Sequence, residues 1–445
     1  MSAATFLGAL MVLALVVAPA RAIPTFFTKG PYLQELSPTA VTVRFELETK
    51  GTASVELTQE GKPPIVVSDR DEATFHSIRV EKLEPATHYQ YVVRSLGAVS
   101  AKGEITTAPA DAASAPFTFL IYGDNRSDDA AHAVVVRAMK QAPADFFVHT
   151  GDFVQSGGNA RDWQSFFEVE SPLLRDRCVF SCVGNHELYE DSAAAAYARY
   201  FGPSSGAASP KLYGTMRWSN ARFFFLNAFD DWSRGEARAW LEKELASADV
   251  EPGLVWRFVV LHHGAWSSGP HGSSPKLAAG GVPALFAAHK IDLLVSGHDH
   301  VYERGEASGV RYIVSGGGGA PLYRQNKPLA STRKFEATYH FVEVAVAAEG
   351  VKLVAKRVDG STVERTGFSK LAGWDGDPMP ATPASGPLAP SPKLVPPPEP
   401  APSTSSRCGC VAAGAPRPLF DGLVGVGAAL ATIALSLFRA RRQRR

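Results

Sequence analysis

Cysteine is scarce in this chain, with four residues in 445. That excludes a disulfide-stapled framework and any thiolate-rich zinc or iron–sulfur site. Cys178 and Cys182 lie in "CVFSCV", which reads as a strand. Residues four apart on a strand are separated by roughly 13 Å, beyond disulfide reach, so both are expected as buried packing residues. Long apolar runs are confined to the two ends, and no Lys or Arg precedes Arg21. Excess charge of one sign is lacking too. The net charge is +1, and Arg21 with the four net positive charges from Leu419 onward leaves about −4 for the intervening body. Such a body is a poor general binder of nucleic acid, and none is expected beyond a nucleotide substrate. "SGGGGAP", residues 315–321, lacks the Lys-Ser/Thr of a phosphate-binding loop and reads as a turn near the rim of a site.

The ends carry targeting signals. The apolar segment closing on Ala20-Arg21-Ala22 reads as a secretory signal over residues 1–22, with a retained anchor as the alternative. Residues 419–445 read as a transmembrane helix with an Arg-rich tail: Gly422 to Phe438 is uncharged and just long enough to span, and "RARRQRR" follows. Residues 366–418 are rich in Pro and Ser and read as an extended linker. The body is therefore expected to be exported and displayed at the cell surface, with the membrane as a partner through the C-terminal helix. Cys408-Gly409-Cys410, the apolar span and the arginine cluster together resemble the myxobacterial C-terminal sorting signal. That resemblance implies a processed tail and surface retention; a plain membrane anchor stays open.

Residues 23–109 show period-two apolar alternation, as in "AVTVRFEL", between Gly and Pro turns, which predicts an all-β sandwich. Within it "LEPATHYQYVV" resembles the L-x-P-x-T-x-Y signature of fibronectin type III domains, which implies a corner hydrogen bond from Tyr89. His76 and His88 read as surface strand residues. From 116 to 365 short apolar strands alternate with helical stretches, predicting an α/β layer domain. Strands are expected at "FTFLIY", "DFFVHT", "CVFSCV", "RFFFLN", "WRFVVL", "IDLLV" and "VRYIV". A helix is expected at "GEARAWLEKELAS", with Ala237, Trp240, Leu241 and Leu245 on one face, and a packing helix at "DWQSFFEVESPLL".

Polar clusters follow the strands. "GDNR" supplies Asp124, "GDFV" Asp152, "GNHE" Asn185 and His186, "LHH" His262 and His263, and "GHDH" His298 and His300. One such cluster would be a turn, but five at successive strand ends point to side chains converging on one rim of a sheet, where ligands bind in α/β proteins. Carboxylate, amide oxygen and imidazole without thiolate suit Zn, Mn or Fe. The GHDH pair then offers one imidazole to each of two adjacent metal ions, bridged by a carboxylate.

This ordered set resembles the metallophosphoesterase superfamily, and "GPYLQ", the β-rich N-terminal region and "GHDHVYER" resemble its purple acid phosphatase branch. The resemblance implies a two-sheet αββα sandwich and two metal ions. Asp124, Asp152 and His300 would hold the first ion, and Asp152, Asn185, His262 and His298 the second, with Asp152 bridging. His262 fits the V-x-x-H spacing from Val259 better than His263. Two positions depart from the pattern. The purple enzymes place Tyr where Gln155 stands, and the wider superfamily places His where Arg126 stands, so the first ion lacks an expected ligand. Arg126 gains a role as a grip on substrate phosphate. His186 is the expected catalytic donor, with His271 as its rival. The implied function is hydrolysis of a small phosphate ester, most simply a phosphomonoester, by a metal-activated hydroxide. A phosphodiesterase or nucleotidase, or a surface binding protein with a decayed site, are the alternatives.

Overall fold

The computed structural model describes residues 27–95, 98–111, 113–202 and 211–375, which fall within one compact unit. The expected signal over residues 1–22, the linker beyond Asp375, Cys408 and Cys410, and the expected span over 419–445 lie outside the described residues. Among the described residues no helix is long and apolar enough to cross a membrane.

The N-terminal region is a five-stranded antiparallel sheet in which Phe27–Gln34, Ala40–Thr58, His88–Ser95 and Ala98–Thr106 pair in that order and Ile65–Glu81 pairs with Ala40–Thr58. Two of these strands are longer than the alternation suggested. "AVTVRFEL" and "ASVEL" belong to one strand, Ala40–Thr58, because the segment around Gly51 shifts register against its neighbour without turning back. Its first half pairs with Phe27–Gln34 and its second with His88–Ser95. Val41, Val43, Phe45, Val55, Leu57, Ile78, Val80, Tyr91 and Val93 fill the core. The Tyr89 hydroxyl accepts from the Glu84 N–H at 3.0 Å, the corner bond expected of it. His88 is exposed as expected, but His76 is not a surface residue. It is fully buried, stacks on Phe45 at 5.0 Å, and bonds Asp69 Oδ2 at 2.8 Å and the Ala73 carbonyl at 3.1 Å, so burial is compensated by partners on both ring nitrogens.

The remainder is built on two sheets. One runs Thr362–Phe368, Val351–Arg357, His340–Val346, Phe117–Tyr122, Phe146–His149, Cys178–Ser181, and the other Thr332–Glu336, Tyr302–Ala307, Val310–Ser315, Leu293–Ser296, Trp256–Leu261, Ala221–Leu226, Gly214–Trp218. The expected strands are all present. Phe119, Ile121, Phe146 and Val148 of the first sheet share a core with Phe223, Phe258, Val260, Leu293 and Val295 of the second. Helices Asp129–Gln141 and Ala160–Leu174 cover the outer face of the first through Val135, Met139, Phe166 and Phe167, and Gly235–Asp249 covers the second through Leu241 and Leu245. This is the αββα layering the resemblance implied. Cys178 and Cys182 are buried free thiols. The last strand runs to Phe368 and Trp374 packs against it with ring centroids 5.2 Å apart, so the folded body extends past the boundary expected at 365.

Parallel pairing places the C-terminal ends of Phe117–Tyr122, Phe146–His149 and Cys178–Ser181 side by side in one sheet, and those of Trp256–Leu261 and Leu293–Ser296 in the other. One attachment of the N-terminal sheet to this body is at the C-terminal end of helix Ala195–Phe201. There Tyr32 Oη donates to the Tyr200 carbonyl at 3.0 Å, and Arg44 donates to the Tyr200 and Gly202 carbonyls at 2.8 and 2.7 Å.

Candidate metal centre

Each candidate ligand sits one to four residues beyond a strand end, on a backbone forced into a tight exit. Asp124, Asp152 and His298 have φ values of 58°, 60° and 70°, in the left-handed region where Asp and His are tolerated at some cost. The glycine before each motif reflects crowding. A Cβ on Gly184 would run into Asp152 Oδ1, and one on Gly297 into Asp124 Oδ2, so both loops must lack a side chain for the carboxylates to reach the rim. "SGGGGAP" does pass this rim: Gly318 and Ala320 donate their N–H groups to the carbonyls of Gly123 and Asp124 at 2.9 and 2.8 Å.

Two groups of atoms meet around Asp152, which is fully buried. On its Oδ1 side lie His262 Nε2 at 3.3 Å, Asn185 Oδ1 at 3.1 Å from that nitrogen, and His298 Nδ1, also 3.1 Å from it. His262 Nδ1 donates to the Thr150 carbonyl at 2.8 Å, so its Nε2 carries a bare lone pair. That lone pair faces a carboxylate oxygen and an amide oxygen. Acceptors set against acceptors in a buried site call for a cation, and this donor set fits a divalent ion. His263 packs on His298 with ring centroids 4.4 Å apart but directs its Nε2 to the Gly272 carbonyl at 2.9 Å.

On the Oδ2 side, ligand atoms of Asp124, Asp152 and His300 lie within 4.8 Å of one another. A cation already reaches this group. Arg126 Nε donates to Asp152 Oδ2 at 2.9 Å, one terminal nitrogen donates to Gln155 Oε1 at 3.2 Å and Ser127 Oγ at 3.3 Å, and the other lies 3.4 Å from His300 Nε2. His300 Nδ1 donates to the Pro321 carbonyl at 2.7 Å, leaving Nε2 as the acceptor. The two imidazoles of GHDH thus lie in different groups, His298 beside His262 and His300 beside Asp124.

Electrostatics follow the same division. Burial works to raise the Asp152 carboxyl, but His262, His186, Arg126 and the His186 N–H outweigh it and hold the group below the usual carboxylate range. Asp124 is pushed well up, first by burial and then by the Asp152 charge. Burial lowers all of His262, His298 and His300, the last to about 4, which favours the neutral imidazole that can coordinate. His186 donates Nδ1–H to the Gln155 carbonyl at 2.6 Å and holds Nε2 3.9 Å from Asp152 Oδ2. His271 lies against His298, with ring centroids 4.2 Å apart.

Three residues without an assigned role in the sequence reading shape this centre. Glu187 is fully buried; its Oε2 accepts from the N–H groups of Asp152 and Gly184 at 2.9 and 2.7 Å, and its Oε1 from Phe153 at 2.8 Å and Val154 at 3.4 Å, which ties two ligand loops together. Burial, then the Asp152 charge, pushes its carboxyl up to about 8 against the pull of those N–H groups. Asp299 accepts from Ser267 Oγ at 2.6 Å and from the N–H groups of His271 and Gly272 at 3.0 and 3.1 Å, holding the His271 loop. Both lie inside the GNHE and GHDH motifs, where their acidic character was the signal. Tyr323 stacks on His300 at 4.1 Å and had no sequence signal.

Residues 117–302 match the calcineurin-like phosphoesterase family, which implies two metal ions of unspecified identity. An uncharacterized protein of Mycobacterium tuberculosis is 26% identical over 282 residues, covering 53% of each chain. Phosphoenolpyruvate phosphatase of Allium cepa is 25% identical over 276 residues, covering 58% of this chain and 56% of its own. The chain thus spans about half the length of the curated relatives it matches. In structure it resembles a purple acid phosphatase from yellow lupin seeds, with TM-score 0.67, 19% identity, and 76% and 74% of the two chains covered. It also resembles PhoD, with TM-score 0.62, 13% identity, and 79% and 92% covered. These likenesses show the fold.

Proposed function

We propose, from the premise that residues 117–302 are a calcineurin-like metallophosphoesterase domain, that this protein is a metal-dependent phosphohydrolase acting on small phosphomonoesters, exported and tethered at the cell surface. The observation that carries the reading is the cluster of bare acceptors from several strand ends around Asp152. Asp152, Asn185, His262 and His298 would hold one ion; Asp124, Asp152 and His300 form the other ligand group, with Arg126 laid across it. An ion bound at this rim supplies positive charge to a phosphoryl oxygen and lets water ionise nearer neutral pH. The Arg126 guanidinium would draw phosphate to this rim through its permanent positive charge. His186 exchanges protons at Nε2, because its Nδ1–H is committed to the Gln155 carbonyl. It would protonate the leaving alkoxide or steady the charged oxygens, and His271 is the rival donor on the His298 side.

The monoester preference draws on relatives named as phosphatases, including that of Allium cepa. Surface display draws on the apolar N-terminus, the Pro-rich linker and the Arg-flanked apolar segment. The full chain loaded with Zn, Mn or Fe is expected to cleave p-nitrophenyl phosphate faster than bis(p-nitrophenyl) phosphate. Faster diester cleavage would transfer the assignment to a phosphodiesterase. Hydrolysis of neither, with metal bound, would leave a surface binding protein.

A further inference from the structure

Arg126 holds its place through four acceptors: a carboxylate oxygen of Asp152, the amide oxygen of Gln155, the hydroxyl of Ser127 and the bare Nε2 of His300. Its side chain is 12% exposed and that of Asp152 is 1%. Two of these acceptors, Asp152 Oδ2 and His300 Nε2, are lone pairs that an ion in the Asp124–Asp152–His300 group would need. A guanidinium does not lose its proton, so its charge stays. A metal ion placed there would meet a fixed positive charge across a single hydrogen-bond length, with its ligands already satisfied. Gln155 contributes no negative charge to offset the repulsion and spends its oxygen on the same guanidinium. The group and a resident metal ion therefore do not fit together while Arg126 keeps this position.

The Oδ1 side of Asp152 differs. Among the described residues, His262 Nε2 and Asn185 Oδ1 have no guanidinium or ammonium partner, and their lone pairs converge with His298 Nδ1. The bridging carboxylate is thereby divided, with Oδ2 given to an organic cation and Oδ1 left for an inorganic one.

We propose that this chain is a one-metal phosphoesterase, in which a single divalent ion binds Asp152, Asn185, His262 and His298 and the Arg126 guanidinium takes the place of the other ion. The inference rests on the phosphohydrolase reading above. It also assigns the recognition of substrate: a phosphate would be held between one ion and the fixed guanidinium charge of Arg126, where the parent arrangement offers a second metal.

The test is metal content. The full chain is stripped with chelator, reloaded with excess Mn²⁺, freed of loose ion by gel filtration, and assayed for bound metal per chain and for its electron paramagnetic resonance spectrum. One ion per chain with the hyperfine pattern of an isolated Mn²⁺ is expected. Arg126→Ala is expected to take up a second ion and to show a spin-coupled pair. Two ions in the unaltered protein would overturn the one-metal inference and leave the phosphohydrolase reading standing. No tightly held ion in either protein would overturn both. A variant that folds, as judged by circular dichroism, but still holds one ion would refute the claim that the guanidinium keeps the other out. The count on the unaltered chain decides the inference even if the variant does not fold, and Arg126→His, which exchanges the charge for a neutral donor, serves as the second variant.

Discussion

Replacing Glu187 by Gln changes one atom and removes one acceptor. Each carboxylate oxygen of Glu187 now accepts from two backbone N–H groups, Phe153 and Val154 on one side and Asp152 and Gly184 on the other. Glutamine keeps one carbonyl oxygen, so in either amide orientation an NH₂ group faces two buried donors. Stranding two buried N–H groups costs about 1–3 kcal/mol each, or about 2–6 kcal/mol in all. Part of that cost would appear as stability. The rest would appear as slack in the loops carrying Asp152 and Asn185, lowering metal affinity by about 10–100-fold, the usual effect of losing a partner that orients a ligand. Thermal unfolding without metal, above about pH 8 where the Glu187 carboxyl is ionised, measures the first share, and titration of bound metal against a competing chelator measures the second. Glu190→Gln is the control, because Glu190 is exposed and its carboxylate accepts from Ser156 Oγ at 2.9 Å; its change should stay within about 0.5 kcal/mol. Unchanged unfolding and unchanged metal affinity in Glu187→Gln would refute the claim that this carboxylate clamps the two loops.

His186→Ala should keep its metal while losing about 10²–10³ in turnover, the scale of one donor acting in the transition state, as read from steady-state rates and metal content together; loss of metal would make His186 a ligand. The buried His340, lowered to about 4 by burial, carries a stability consequence. Its ordinary value is about 6.5, so its contribution is intact above that pH and is lost as pH falls towards 4, about 3 kcal/mol in full. Denaturant titrations of His340→Gln should show a shallower loss across that window, and an unchanged slope would contradict the assignment. Protease added to intact cells should degrade or release the protein, whereas complete protection under conditions that digest a known surface protein would contradict surface display.

The layers of the fold were legible because period and punctuation agree in this chain. Phe117–Tyr122, Phe146–His149 and Trp256–Leu261 are short apolar runs that end on glycine or histidine, and each does end at the rim. What the sequence concealed was continuity and pairing. The bend near Gly51 looks like a turn in one dimension and is a register shift within a strand in three. His76 looked like a surface residue because its alternation is polar, yet Asp69 and Ala73 make its burial affordable. At the centre, the candidate ligand types and their order along the chain are visible in the motifs, since each strand exit carries its own chemistry. The placement of Arg126 is not, because it depends on the loop carrying Asp152 and Gln155 meeting His300 from a distant segment.

The central claim is that hydrolysis and metal share the Asp152 carboxylate. Measuring bound metal and p-nitrophenyl phosphate hydrolysis on the same samples of unaltered protein and Asp152→Ala tests it most directly. The unaltered protein should lose activity on chelation and regain it as metal returns, and Asp152→Ala should lack both metal and activity. Full hydrolysis by Asp152→Ala, or hydrolysis by the unaltered chain that is indifferent to chelation, would contradict the account.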